Sequence, residues 1–231
     1  MKNILIVGAG KGIGLKTAEI LKTENLFTIS RSLTPELSLL NTHFFEMDAA
    51  ADSLAKLDLP EELHGLVYCP GSINLKPFNR FTEEDFLADF QQNFVGAVKI
   101  IQKCLPSLKK SGNASIVLFS TVAAKVGMPF HTSIATSKGA LEGFAKSLAA
   151  ELANSKIRVN VVAPSLSDTS LAENLLSTPE KREASAKRHP LQRIGQPDDS
   201  AELVSFLLSD KSSWMTGQII GVDGGLSTLK L

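Results

Sequence analysis

The sequence predicts a doubly wound α/β fold, with a parallel sheet of about seven strands and helices on both faces. Three observations carry this expectation. Apolar runs of strand length alternate with helix-period segments along the whole chain. The runs are apolar at consecutive positions, as in strands covered on both sides, rather than at every second position. The connections are short, which favours right-handed strand–helix–strand crossovers.

Taken in order, the first predicted strand, Ile4–Val7, runs into Gly8-Ala9-Gly10-Lys11-Gly12-Ile13-Gly14 and an amphipathic stretch over Ile13–Lys22. The second, Leu26–Ile29, ends at Ser30-Arg31-Ser32, and the third, His43–Met47, is followed by Asp48. The fourth, Gly65–Cys69, leads to Pro70-Gly71. A long helix is predicted over Glu83–Leu105; Thr82 with Asp85 three residues later forms a capping box at its start. The fifth strand, Ser115–Phe119, precedes Ser120-Thr121, and a helix follows over Lys138–Leu152. After the sixth strand, Arg158–Val162, the rhythm breaks. Between Pro164 and Pro197 the chain is polar, charged and weakly periodic, and an insertion of that length at a strand's carboxyl end reads as a substrate lid over about 165–196. Pro197 suits the first turn of a helix over Asp198–Leu208, and Gln218–Val222 supplies the seventh strand.

Bulk properties narrow the function classes. A chain of 231 residues with 43% hydrophobic and 21% charged residues suits a single domain spanning 1–231. Lys+Arg and Asp+Glu both number 24, so a basic surface for nucleic acid or anionic membrane is not expected. No apolar run approaches the roughly 18 residues of a spanning helix, and the N-terminal MKNILIVGAGKGIG reads as strand and turn rather than signal peptide. Cys69 and Cys104 lack metal-ligand spacing and read as reduced core thiols, so a cytoplasmic protein without a metal site is expected.

The glycine-rich turn between a strand and a helix is where a doubly wound fold receives a pyrophosphate: glycine lets the backbone approach, and the helix N-terminus favours the charge. At the end of the second strand, an acidic residue would hold the ribose hydroxyls of NAD. Here Ser30-Arg31-Ser32 stands instead, and no Asp or Glu occurs at 28–32. Guanidinium and hydroxyls suit the 2′-phosphate of NADP(H), with NAD(H) the lesser expectation.

These marks together resemble the short-chain dehydrogenase/reductase family, closest in pattern to its 3-oxoacyl-carrier-protein reductase-like members, and so imply a Rossmann-like fold. Gly8-x-x-x-Gly12-Ile13-Gly14 matches the family's glycine pattern, with Val7 where threonine is usual. Asp48 stands where the family contacts adenine, Asn93 in Gln92-Asn93-Phe94-Val95-Gly96 where it places a relay asparagine, and Ser137-Lys138-Gly139-Ala140-Leu141 at the end of its active-site motif. Arg158–Pro164, Met215–Gln218 and Val222–Gly225 are similar to later family segments. The resemblance implies that Gly8, Gly10, Lys11, Gly12, Ile13, Gly14, Ser30, Arg31, Ser32, Asp48, Gly71, Lys138, Pro164 and Thr169 hold the cofactor.

The same resemblance exposes a gap. In the family a tyrosine four residues before the lysine is the general acid, one helical turn away on the same face. Four residues before Lys138 stands Ile134, and the only tyrosine is Tyr68, at the end of the fourth strand. Thr121 occupies the serine position, with Ser120 beside it. The usual glycine after Pro164 is Ser165, and only Gly71 is kept of the segment after the fourth strand. The candidate catalytic set is therefore Thr121, Lys138, Asn93 and His131, the last of these three residues before Ile134. His131 also reads as a loop histidine, Tyr68 as a packed structural residue, and His189 as part of a mobile lid.

Two functions follow. The first is an NADP(H)-dependent oxidoreductase acting on a carbonyl or alcohol with an altered proton relay. The second is an NADP(H)-binding sensor or scaffold without turnover. Non-redox chemistry ranks third, because no carboxylate pair or metal cluster lies at the motif positions. The substrate is an unidentified small molecule. The resemblance to 3-oxoacyl reductases, which form tetramers, implies a homodimer or homotetramer, and the small-residue stretch from Gly139 to Ala150 would allow the close helix packing this needs.

Overall fold

A computed structural model describes residues 1–230. Seven parallel strands, β1 (Asn3–Val7), β2 (Asn25–Ser30), β3 (Thr42–Glu46), β4 (Gly65–Tyr68), β5 (Ala114–Phe119), β6 (Ile157–Pro164) and β7 (Ile219–Val222), form one sheet in the order β3-β2-β1-β4-β5-β6-β7. The register aligns Ile4 with Leu26 on one side and with Gly65 on the other. Order reverses between β1 and β4, which opens a crevice at the strands' carboxyl ends. The doubly wound expectation holds.

Consecutive apolar residues in each strand serve opposite faces. Leu5, Val7, Leu66, Tyr68, Ile116 and Leu118 join one core, whereas Ile4, Ile6, Val67, Val117 and Phe119 join the other. Helices α1 (Gly12–Ile20) and α7 (Pro197–Leu208) cover the second core through Ala18, the C-cap Leu21, Val204, Leu207 and Leu208. The short α2 (Pro35–Ser38) adds Leu37 to it. The first core is covered by α4 (Gly96–Lys110) and α5 (Thr132–Leu152). Ala97, Ile100, Cys104 and Leu108 supply one half of that cover, and Leu141, Ala145 and Ala149 the other.

Two helical segments differ from expectation. The helix predicted over Glu83–Leu105 is α3 (Glu83–Phe90), a π-turn at Gln91–Val95, and then α4, which continues through Pro106 to Lys110. Its capping box is present: the Asp85 amide donates to Thr82 Oγ1 and the Thr82 amide to Asp85 Oδ2. The helix around Lys138 begins six residues earlier, at Thr132.

The segment after β6 is ordered rather than loose. It contains a 3₁₀ stretch at Ser170–Leu176 and helix α6 (Pro179–Lys187), capped by Thr178. Its ends meet at a parallel bridge between Ser167 and Gly195, and Arg182 forks onto Asp168 through two bonds of 2.7 and 2.9 Å. The weak periodicity has a plain cause: α6 buries only Ser185, so it has no apolar stripe to read. No helix among the described residues is long and apolar enough to cross a membrane.

Candidate active site

Two contiguous cavities occupy the crevice. The first, about 530 Å³, is lined by the β1–α1 turn (Gly8, Gly10, Lys11, Gly12, Ile13 and Gly14), by Ser30, Arg31 and Ser32 after β2, and by Asp48 after β3. The second, about 310 Å³, is lined by Thr121, His131, Ile134, Lys138, Pro164, Ser165 and His189. Ile13, Cys69, Gly71, Phe119, Thr169 and Leu171 line both, so the two spaces meet there. Every residue expected to hold a cofactor lines one cavity or the other.

The turn's backbone dictates its glycines. Gly12 has φ of 57°, a left-handed conformation that side chains resist, and a Cβ at Gly14 would run into the Gly8 carbonyl. No side chain caps α1 at Lys11, so its first-turn amides are open to an anion. Arg31 is exposed and forms no ion pair among the described residues. Ser30 Oγ donates to the Ser32 carbonyl at 2.5 Å, which closes the strand end around that arginine.

Lys138 is the most perturbed cation of the site. It is 5% exposed and donates to the Phe119 carbonyl at 2.7 Å. Burial pushes its ammonium down to about 8, with the Asp89 carboxylate nearby partly offsetting the shift. Ile134, one turn earlier on α5, faces the same cavity and is itself buried. Burial also lifts the Cys69 thiol to about 12, so it stays protonated.

Asn93 sits in the π-turn and is fully buried. Its amide donates to Ser72 Oγ at 2.8 Å and to the Asp89 carbonyl at 2.7 Å, while its Oδ1 has no partner among the described residues. A Cβ at Gly71 would lie 3.4 Å from that oxygen and 3.8 Å from Lys138 Nζ. Gly71 therefore leaves a cradle between an orphaned acceptor and a buried cation, as a polyhydroxylated ligand requires.

The π-turn is held from below by Tyr68. Its hydroxyl donates to the Gln92 carbonyl at 2.8 Å, its ring lies in the core, and burial raises its pKa. Tyr68 is a structural residue, unavailable to a substrate. Ser120 and Thr121 both line the cavity, but Ser120 Oγ donates its proton to Glu142 Oε1 at 2.5 Å, so Thr121 is the one of the two with an uncommitted hydroxyl proton. Thr121 Oγ1 accepts from the Ala123 amide at 3.3 Å and donates to nothing among the described residues. His131 donates from Nδ1 to the Pro129 carbonyl at 2.7 Å, ahead of α5 on the cavity rim.

Sequence reasoning missed two polar clusters. Asp89 is 4% exposed on α3 and accepts from Ser72 Oγ at 2.6 Å and Ser133 Oγ at 2.5 Å. An acidic residue four positions before Asn93, on the buried side of its helix, was the only available signal. His189 is 3% exposed, and both its ring nitrogens are hydrogen-bonded, to Ser165 Oγ and the Ser185 carbonyl. Helix α6 and the Ser167–Gly195 bridge fix that segment in place.

The profile of the family described as Enoyl-(Acyl carrier protein) reductase matches residues 42–227. A 3-oxoacyl-[acyl-carrier-protein] reductase of Thermotoga maritima is 35% identical over 242 aligned positions, covering 97% of each chain. This chain belongs to the short-chain dehydrogenase/reductase (SDR) family. A tropinone reductase homolog of Arabidopsis thaliana is 33% identical, covering 97% of this SDR and 92% of the relative. Among solved structures, the aldohexose dehydrogenase of Thermoplasma acidophilum superposes with a TM-score of 0.89 at 28% identity, covering 99% and 95% of the two chains. ElxO with NADP bound gives 0.88 at 25% identity over 99% of both chains, and a tyrosine-to-phenylalanine variant of ElxO is solved with NADPH. This SDR thus shares its fold and its family with oxidoreductases.

Proposed function

We propose that this SDR is an NADP(H)-dependent oxidoreductase of a carbonyl or alcohol substrate, working without the family's tyrosine. The observation that carries the reading is the junction of the two cavities, where Gly71 and Thr169 line both spaces and Lys138 Nζ lies 3.8 Å from the position of a Cβ at Gly71. The open amides of α1 suit a pyrophosphate, Arg31 with Ser30 and Ser32 suits a 2′-phosphate, and the Gly71 cradle with Lys138 suits a ribose. A nicotinamide cofactor supplies or removes hydride when bound. The chain's own part is to position and polarise: Thr121, with a free donor hydrogen, is placed to bond a substrate oxygen in the second cavity.

The competing reading, cofactor binding without turnover, draws on Ile134, which can neither give nor take a proton. Both readings require NADP(H), so the first measurement is the thermal midpoint with NADPH and with NADH. A ligand at about 100 times its dissociation constant stabilises by roughly 2.7 kcal/mol, and for a chain of this size that shift is about 5–10 °C. A shift with NADPH well above that with NADH is expected. No shift with either would refute the cofactor reading.

A further inference from the structure

The second cavity holds a hydroxyl–imidazole pair that the motif comparison assigns no role. Ser165 Oγ and His189 Nε2 are 2.8 Å apart. His189 Nδ1 lies 2.8 Å from the Ser185 carbonyl, and a carbonyl can only accept, so Nδ1 carries the ring proton. In the neutral ring Nε2 is then an acceptor, and the Ser165 hydroxyl donates to it. Both residues are firmly held: the Ser165 amide donates to the Val222 carbonyl of β7 at 3.1 Å, and His189 packs against Gly224 and α6.

What distinguishes this pair is an imidazole behind a half-buried hydroxyl that keeps a free lone pair. Ser165 Oγ accepts no hydrogen bond among the described residues, and Ser165 lines the same cavity as Thr121 and Ile134. Of the hydroxyls bonded to a carboxylate here, Ser133 is fully buried and lines neither cavity. Ser72 donates to Asp89 and also accepts from Asn93, and Ser120 is buried against Glu142. Asp89 already receives two hydroxyl protons.

We propose that Ser165 and His189 form the acid–base pair of this active site, taking the place of the absent tyrosine; this rests on the NADP(H) reading above. In alcohol oxidation a bound oxidised nicotinamide dinucleotide would supply the acceptor for the substrate's carbon-bound hydrogen, taken as hydride. The substrate's hydroxyl proton passes to Ser165 Oγ as the serine's own proton passes to His189 Nε2. The products are a carbonyl, the reduced dinucleotide and an imidazolium, which returns its proton to solvent. Carbonyl reduction runs the same transfers backwards. Ser165 is the catalytic residue and His189 the base behind it, with the Ser185 carbonyl holding the productive tautomer.

The test combines a substrate-free readout with kinetics. Long-range ¹H–¹⁵N spectra of histidine-labelled protein, assigned with His189→Gln, should show His189 with the proton on Nδ1. Ser165→Ala, which deletes one oxygen and preserves the fold, should move the Nε2 resonance toward that of an unbonded acceptor. With NADPH and the best substrate among butanal, cyclohexanone and diacetyl, Ser165→Ala and His189→Gln should each lower kcat by about 10²-fold or more. KM and the NADPH dissociation constant should stay within about twofold, and imidazole should restore part of the rate of His189→Gly. A wild-type His189 protonated on Nε2 would overturn the proposal, and so would both variants keeping wild-type kcat at unchanged NADPH affinity. Failure of NADPH to bind would refute the cofactor reading while leaving the tautomer result to stand.

Discussion

Lys138→Met offers a direct measure of what burying a cation in this site costs. The folded lysine titrates near 8 and the unfolded one near 10.5, because the folded ammonium has lost its water and gained one carbonyl. Its folded pKa is lowered, so between these values the unfolded chain binds more protons than the folded one. Stability therefore rises with pH through that window, and the full penalty is present below it. At about 1.4 kcal/mol per pH unit of difference, the penalty is roughly 3 kcal/mol at pH 7 and falls by about 1 kcal/mol by pH 9. The Cys69 and Cys104 thiols, held up to about 12 by burial, act in the opposite sense above their unfolded value of 9.0. Subtracting the variant cancels most of their contribution, and the window of pH 7–9 keeps it small. The lost bond to Phe119 is the same at every pH and drops out of the slope. Urea unfolding of both proteins without ligand at pH 7, 8 and 9 is the assay. The stability of wild type minus that of Lys138→Met should grow by about 1 kcal/mol from pH 7 to 9. A difference that stays flat would show that Lys138 is solvated, and the reasoning about its burial would fall.

Gly96→Ala should destabilise by about 2–4 kcal/mol, because its Cβ would collide with the Tyr68 hydroxyl and break the bond that holds the π-turn. Adding Tyr68→Phe should recover part of that loss in denaturant melts. Arg31→Ala should weaken NADPH binding by about 10–100-fold in a fluorescence titration and leave NADH binding unchanged, since only the former has a 2′-phosphate to lose. Ile134→Tyr places a phenol one helical turn from the Lys138 ammonium, beside a cavity of about 310 Å³. It should raise carbonyl reduction by up to about 10²-fold, and most strongly in the Ser165→Ala background, where the proposed pair is disabled.

The strands were legible because their evidence is local: a parallel strand between two helical layers must be apolar on both faces, and each of the seven apolar runs lies within a residue or two of its strand. The β1–α1 turn and Arg31 were legible for a related reason, since a glycine forced by backbone geometry and a charge at a strand end are fixed by their neighbours in the chain. The helix around Lys138 was placed too short, because Thr132–Ser137 carries few apolar residues to announce a period. Helix α6 was invisible, as it buries almost nothing.

The polar pairs of the site belong to the tertiary structure alone. Ser165 and His189 are 24 residues apart, Ser133 and Asp89 are 44, and Lys138 and the Phe119 carbonyl are 19. No periodicity links such residues; they meet because parallel strands all end at one edge and deliver their following loops to a single crevice. The sequence by itself determined the sheet, the cofactor-like turn and the isoleucine standing four residues before the lysine. Which hydroxyl is left free, which is closed by a carboxylate, and which histidine is locked in one tautomer were decided only when the chain folded. A buried polar atom's chemistry depends on its partners, and those partners come from distant segments.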